Sequence, residues 1–295
     1  MASNKQIRDR IRELKQEYDK LKVGKESLLA VIDEAEVPEV VYNSNAIENS
    51  TLTLRDTEKI LLEIETSVDA SPREIFEAKN LARVSGYVRE KARTEELHKE
   101  TILLLHKMLI SGINNSIAGR FRKAGEYVRV GTHVAPAPEH VERMMETALA
   151  QYASDHETYV PDKIAAFHLE FEHIHPFCDG NGRIGRVLIN WHLARVGFPS
   201  VIIRDKEKHL YYAAFPEYRD KKNTKPMEKV ITLALAESLH KRIEYLRGSE
   251  IISLADYAKK TGKSNVALLN AARRQTISAF REKGVWKVPA RPTAR

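Results

Sequence analysis

Apolar residues recur at three- and four-residue steps through most of the first 250 positions, the period of helices with one buried face. Ile7, Ile11, Leu14, Tyr18 and Leu21 form one such stripe on an otherwise charged segment. Others run through Ile75–Ala82, Leu97–Leu109, Val141–Leu149, Ile164–Phe171 and Ile231–Leu246. The clearest extended segment is Glu126-Tyr127-Val128-Arg129-Val130; with Gly131-Thr132 and Val134 after it, the pattern predicts a short hairpin. Ala135-Pro136-Ala137-Pro138 interrupts structure before Glu139 and Glu142 open another helix. The expected fold is mainly α with a small β insert. We place a helical region at residues 1–95, a helical core at 96–247 and a small module at 251–295, with Gly248-Ser249 as the linker.

Composition narrows the class. The 295 residues are 42% hydrophobic and 30% charged, enough apolar material for a sizeable core, which excludes disorder, collagen and a coiled-coil rod. The longest apolar runs, such as Ile102–Leu105, fall far short of the roughly 18 residues of a membrane helix. The first residues carry no apolar signal region, and a single cysteine, Cys178, excludes an internal disulfide framework. The expectation is a cytoplasmic chain without a membrane partner. Charge adds a division: residues 251–295 hold ten Lys and Arg against Asp256 and Glu282, a net of +8, so against a formal charge of +7 for the whole chain residues 1–250 are nearly neutral at −1.

One stretch concentrates chemistry: His175-Pro176-Phe177-Cys178-Asp179-Gly180-Asn181-Gly182-Arg183-Ile184-Gly185-Arg186. The helix through Ile164, Phe167, Phe171 and Ile174 ends at His175, because Pro176 cannot continue it. Gly180 and Gly182 bracket a turn that feeds a second helix, whose start offers free N–H groups to an anion. Arg183 and Arg186 lie three apart at that end, an unfavourable place for two cations unless an anion compensates them. Asp179 supplies a hard oxygen ligand suited to Mg²⁺ on phosphates. His175 is the nearby side chain able to take a proton near neutral pH. Phosphoryl or nucleotidyl transfer is the chemistry that uses all of these. His168 and His173 lack further ligands at metal spacing and are expected to be structural, and Cys178 to be a small buried residue.

The run matches every fixed position of the Fic-domain signature, His-Pro-Phe-x-Asp-Gly-Asn-Gly-Arg-x-x-Arg, and the chain resembles that family over residues 40 to 240. Gly119-Arg120-Phe121-Arg122 with Val128–His133 is similar to the family's flap, in which Val130, Gly131, Thr132 and His133 would hold a target segment by main-chain pairing. The resemblance implies transfer of AMP from ATP to a Ser, Thr or Tyr hydroxyl of a protein, the chain itself included. It implies His175 as the base, Asp179 as the Mg²⁺ ligand, and Gly180, Asn181 and Gly182 around the α-phosphate. Arg183 and Arg186 would take the β- and γ-phosphates, and Tyr211 or Tyr212 the nucleoside. Members that act as phosphotransferases carry lysine where this chain has Gly182, which favours the nucleotidyl orientation. Ser44-Asn45-Ala46-Ile47-Glu48-Asn49 is similar to the family's inhibitory motif; Ser44 and Glu48, one helical turn apart, would place a carboxylate bidentately on Arg186.

The tail has a different pattern. Ser253 caps a helix that Gly262 ends, Ser264 starts another through Val266, Leu269 and Ala272, and Val285-Trp286-Lys287-Val288 follows as a short strand. It resembles the winged helix-turn-helix modules of excisionase-like DNA binders, which implies duplex DNA as a partner through Arg273, Arg274 and Arg281. Three functions stay open: an adenylyltransferase restrained by its own inhibitory helix, a DNA-binding regulator whose Fic domain senses, and removal of AMP or transfer of another phosphate-linked group. A homo-oligomer is compatible with each.

Overall fold

The computed structural model describes residues 4–62 and 69–291, most of them helical. Contacts among them divide the chain into two compact units, Val37–Phe198 with Ile202–Val230, and Met1–Glu36 with Pro199–Val201 and Ile231–Arg295. The second begins with α1 (Asn4–Leu21) and α2 (Glu26–Ala35).

The larger unit contains α3 (Val37–Ile47), α4 (Leu54–Leu61), α5 (Pro72–Lys91), α6 (Lys99–Ile110), a hairpin of β1 (Arg129–Val130) and β2 (His133–Val134), then α7 (Pro138–Ser154), α8 (Val160–Ile174), α9 (Asn181–Arg195) and α10 (Lys208–Lys221). Local sequence sets these starts. Thr53 and Ser71 form capping boxes with Asp56 and Glu74, and proline opens α5, α7 and α8 where its missing N–H costs nothing. The core lies between α5, α6, α8 and α9, where Val84, Ile102, Leu105, Leu109, Phe171, Ile174, Ile184 and Trp191 are buried. In the antiparallel hairpin Val130 pairs with His133, and Gly131 adopts a left-handed φ of 58° at the turn.

α11 (Lys225–Arg247) enters the second unit at Ile231, followed by β3 (Ile251–Ser253), α12 (Leu254–Thr261), α13 (Asn265–Arg273), β4 (Phe280–Glu282) and β5 (Val285–Pro289). The strands form an antiparallel sheet of order β3-β5-β4, with Ile252 opposite Val288 and Arg281 opposite Trp286. Ser253 and Ser264 accept backbone N–H groups at the starts of α12 and α13, and Gly262, at φ 67°, ends α12. Polar contacts attach this segment to α11: Glu237 pairs with Arg281, His240 with Gln275 and Tyr245 with Glu282. Arg242 of α11 is buried and donates to Asp33 and Glu36 near the end of α2. No helix among the described residues is long and apolar enough to cross a membrane.

Candidate active site

The loop between α8 and α9 carries the signature. His175 caps α8 in the left-handed region, φ 49° and ψ 62°, and its N–H bonds the carbonyl of Phe171. Pro176 disfavours a right-handed helical conformation at His175, so the chain turns there. Arg122, almost fully buried, secures this end by donating Nε–H to the His175 carbonyl at 2.9 Å and Nη2–H to Ile174 and Pro136. It thereby satisfies carbonyls that the helix end leaves without partners. The loop's other side is set by His106, whose ring stacks on Phe177 at 3.7 Å. Burial pushes its pKa down to about 4, so it is neutral; Nδ1 accepts from Gly119 N–H, and Nε2–H donates to the Asp179 carbonyl at 3.0 Å.

Gly180 precedes α9 with φ 81°, and a Cβ there would lie 3.1 Å from Ile110 and 3.2 Å from Leu109. No side chain caps this helix start, so its first N–H groups remain available to an anion. Asn181 is buried and bonds both ways with the Phe177 backbone, at 2.9 and 2.8 Å. Its amide therefore shapes the loop instead of projecting from it.

Asp179 sits in a ring of alternating charge. Its Oδ2 accepts from Arg73 at 2.6 Å and its Oδ1 from Arg183 at 3.2 Å, while Glu77 faces both arginines at 3.0 Å. Arg73 and Glu77, one turn apart on α5, escaped the sequence reading because nothing local marks them. Among the described residues no group of three or more His, Cys, Asp or Glu side chains could hold a metal. One carboxylate, one-third exposed, suits an ion that arrives on phosphate oxygens.

Arg186 meets the upstream motif as expected, with two differences. Its Nε–H donates to Ser44 Oγ at 2.9 Å, and Nη2–H donates to the Ser44 carbonyl at 2.7 Å and to Glu48 Oε1 at 2.9 Å. The carboxylate thus makes one bond rather than the expected bidentate pair, and Glu48 remains 38% exposed while Arg186 is buried. The reason lies in the backbone: α3 ends at Ile47, so Glu48 is the residue after the helix. Asn49 takes a left-handed φ of 67°, with its N–H on the Ala46 carbonyl and that of Ser50 on the Asn45 carbonyl. This is a Schellman cap, and its left-handed position explains why a small or amide residue follows the glutamate. Burial opposes the charge of Arg186, but Glu48, Tyr211 and Glu172 outweigh it and raise its pKa. A Cβ on Gly182 would collide with Glu48 Oε1.

Contacts from the opposite side hold α3 in place. Arg204 pairs with Glu39 at 2.9 Å, Asp205 N–H bonds Asn43, and the Tyr212 hydroxyl donates to the Ile47 carbonyl at 2.8 Å. Tyr211 is fully buried below Arg186, its hydroxyl bonded to His168 at 2.8 Å. Burial holds the pKa of His168 down to about 4. Glu172, also absent from the sequence reading, places Oε2 3.7 Å from His175 Nδ1. Val130, Gly131, Thr132 and His133 form the exposed hairpin, His133 anchoring it through Nε2 and the His173 carbonyl. Arg273 and Arg274 are exposed at the end of α13, whereas Arg281 is held by Glu237 and lies over the Trp286 ring.

Residues 96–193 match the model of the Fic/DOC family. A protein adenylyltransferase Fic of Nematostella vectensis is 34% identical over 216 residues, covering 71% of this chain and 49% of the relative. One of Drosophila melanogaster is 30% identical over 261 residues, covering 84% and 51%. The chain thus spans about half the length of these curated relatives. The crystal structure of a Fic domain containing signaling protein from Bacteroides thetaiotaomicron superposes with a TM-score of 0.73 at 25% identity, over 81% of this chain and 97% of that one. Fic-1 from C. elegans superposes with 0.70 at 25% identity, over 81% and 71%.

Proposed function

We propose that this chain, a Fic-domain protein, transfers AMP from ATP to a Ser, Thr or Tyr hydroxyl of a protein and is restrained by Glu48. The observation that carries the reading is the meeting of Arg186 with Glu48 beside an uncapped helix start: the carboxylate occupies a cation aimed where a phosphate would be bound.

In this mechanism the target hydroxyl oxygen attacks the α-phosphorus while the bond to the pyrophosphate oxygen breaks. His175 takes the hydroxyl proton. The N–H groups around Gly180 and Gly182, in the loop shape that Asn181 maintains, face the charge that develops on the α-phosphate. Arg183 and Arg186 hold the leaving pyrophosphate. Asp179 would hold Mg²⁺ that accompanies the nucleotide, and the ion's contribution is to screen phosphate charge. The hairpin of β1 and β2 presents free backbone edges to an extended target segment. Tyr212, exposed beside the motif, would contact the nucleoside. We further propose that the exposed Arg273 and Arg274 bind duplex DNA in a cytoplasmic protein.

The test is intact-mass measurement of the chain and its modified proteins after incubation with Mg²⁺-ATP. Label from α-³²P but not γ-³²P ATP is expected to be retained. His175→Ala should abolish incorporation while leaving nucleotide binding in place. Retention of γ-label, or wild-type turnover in the variant, would overturn the proposal.

A further inference from the structure

Glu172 lies on the last turn of α8, three residues before His175, with its side chain only 10% exposed. Its Oε2 faces His175 Nδ1 at 3.7 Å, and its Oε1 makes no hydrogen bond in a buried position. A buried carboxylate oxygen without a partner is costly to maintain. The surroundings nevertheless make room for it. At Gly185, a variable position of the signature, a Cβ would lie 2.6 Å from Oε1 and 2.8 Å from the His168 ring. The absence of a side chain at residue 185 therefore leaves space for the carboxylate beside the candidate base.

We infer that Glu172 is a positioning residue, whose carboxylate holds the His175 imidazole with its proton on Nδ1 and leaves Nε2 to receive the hydroxyl proton. The inference rests on the reading of His175 as the base. The geometry requires a small tightening, since 3.7 Å exceeds hydrogen-bond length, and catalytic hydrogen bonds commonly shorten when substrate binds. The direction of the electrostatics agrees. Burial alone would raise the pKa of Glu172, yet His175, His168 and Arg186 together bring it below the ordinary carboxylate value, so it is an anion. His168 faces it from α8, Arg186 from α9, and Tyr211 and Tyr212 from α10, while Arg122 reaches His175 through its backbone carbonyl. His168 is neutral and bonds Tyr211 through Nε2, which leaves its Nδ1 without a hydrogen bond, and Arg186 is engaged by Ser44 and Glu48. His175 is the remaining group within ion-pair distance that the carboxylate can orient.

The experiment uses the full chain carrying Glu48→Gly, with His175→Ala, Glu172→Gln and Glu172→Asp added singly. Two quantities are read: the ¹⁵N shifts of His175 without nucleotide, and the pH profile of kcat/KM for AMP transfer. Before any substitution at Glu172, the Nδ1-protonated tautomer is expected at neutral pH; the Nε2-protonated form would overturn the inference regardless of how the variants fold. Glu172→Gln should lower the plateau about 10- to 100-fold, move the acid limb to lower pH and leave ATP affinity unchanged. Glu172→Asp should keep the acid limb near its original place. An unchanged tautomer and acid limb in Glu172→Gln, with His175→Ala inactive, refutes the positioning role and leaves the base assignment standing. Turnover retained in His175→Ala instead removes the base assignment, and the inference with it.

Discussion

Glu48→Gly removes the one carboxylate that bonds Arg186 and leaves the two contacts from Ser44 in place. Asn49 still provides the left-handed cap, so α3 keeps its end. A hydrogen bond between charged groups contributes roughly 1.5–3 kcal/mol. Here Glu48 is 38% exposed, so solvent screening lowers the figure to roughly 1–2 kcal/mol. A γ-phosphate that must displace Glu48 bears that cost before ATP can lie productively. Its removal should therefore raise transfer about 5- to 30-fold, at 1.4 kcal/mol per factor of ten. The assay compares α-³²P incorporation by wild type and variant under matched, subsaturating Mg²⁺-ATP. Arg186→Ala in the variant background should erase the gain, since both changes act on one phosphate contact. Equal activity would refute the restraint, and lower activity would make Glu48 a participant in the reaction.

Gly182→Ala pushes the Glu48 carboxylate aside, so it should raise transfer in wild type and give no gain in Glu48→Gly; a gain in both backgrounds would place its effect elsewhere. His106, His168 and His240 have pKa values near 4, and His192 near 3, each depressed mainly by burial from an ordinary 6.5. The unfolded chain binds their protons first, so stability is full above about pH 6.5 and falls as the pH drops toward 4. A melting temperature flat across that interval would contradict their burial in the neutral form. Replacing Arg273 and Arg274 together by alanine should weaken duplex DNA binding by the full chain and flatten its salt dependence, read by fluorescence anisotropy; unchanged binding would assign the basic surface another role.

The helical stripes and the hairpin were legible because period and turn chemistry are local properties of the chain. The loop from His175 to Arg186 was legible for the same reason: its proline restricts the backbone at His175, and glycine permits the left-handed turn at Gly180. Glu172 was legible only in hindsight, through its i, i+3 spacing to His175 and a glycine at a variable position. Arg73 and Glu77 gave no signal, because their relation to Asp179 joins residues about a hundred positions apart. Arg281 shows the converse limit. Its charge counted toward the basic tail, but Glu237 on α11 neutralises it, a pairing that periodicity cannot reveal. The same holds for Glu48, whose helical spacing from Ser44 was correct although the helix itself stops one residue earlier.

That early stop has a kinetic meaning. Because Glu48 stands beyond the last helical residue and is more than one-third exposed, its release from Arg186 needs only side-chain rotation and no unwinding of α3. Rotamer changes of exposed side chains take picoseconds to nanoseconds, far faster than a typical enzymatic turnover. The restrained and released forms would therefore equilibrate many times within each catalytic cycle. Activity would then report the fraction of time the carboxylate spends away from Arg186, and any partner that stabilises either rotamer would tune the rate continuously, like a dimmer instead of a lock.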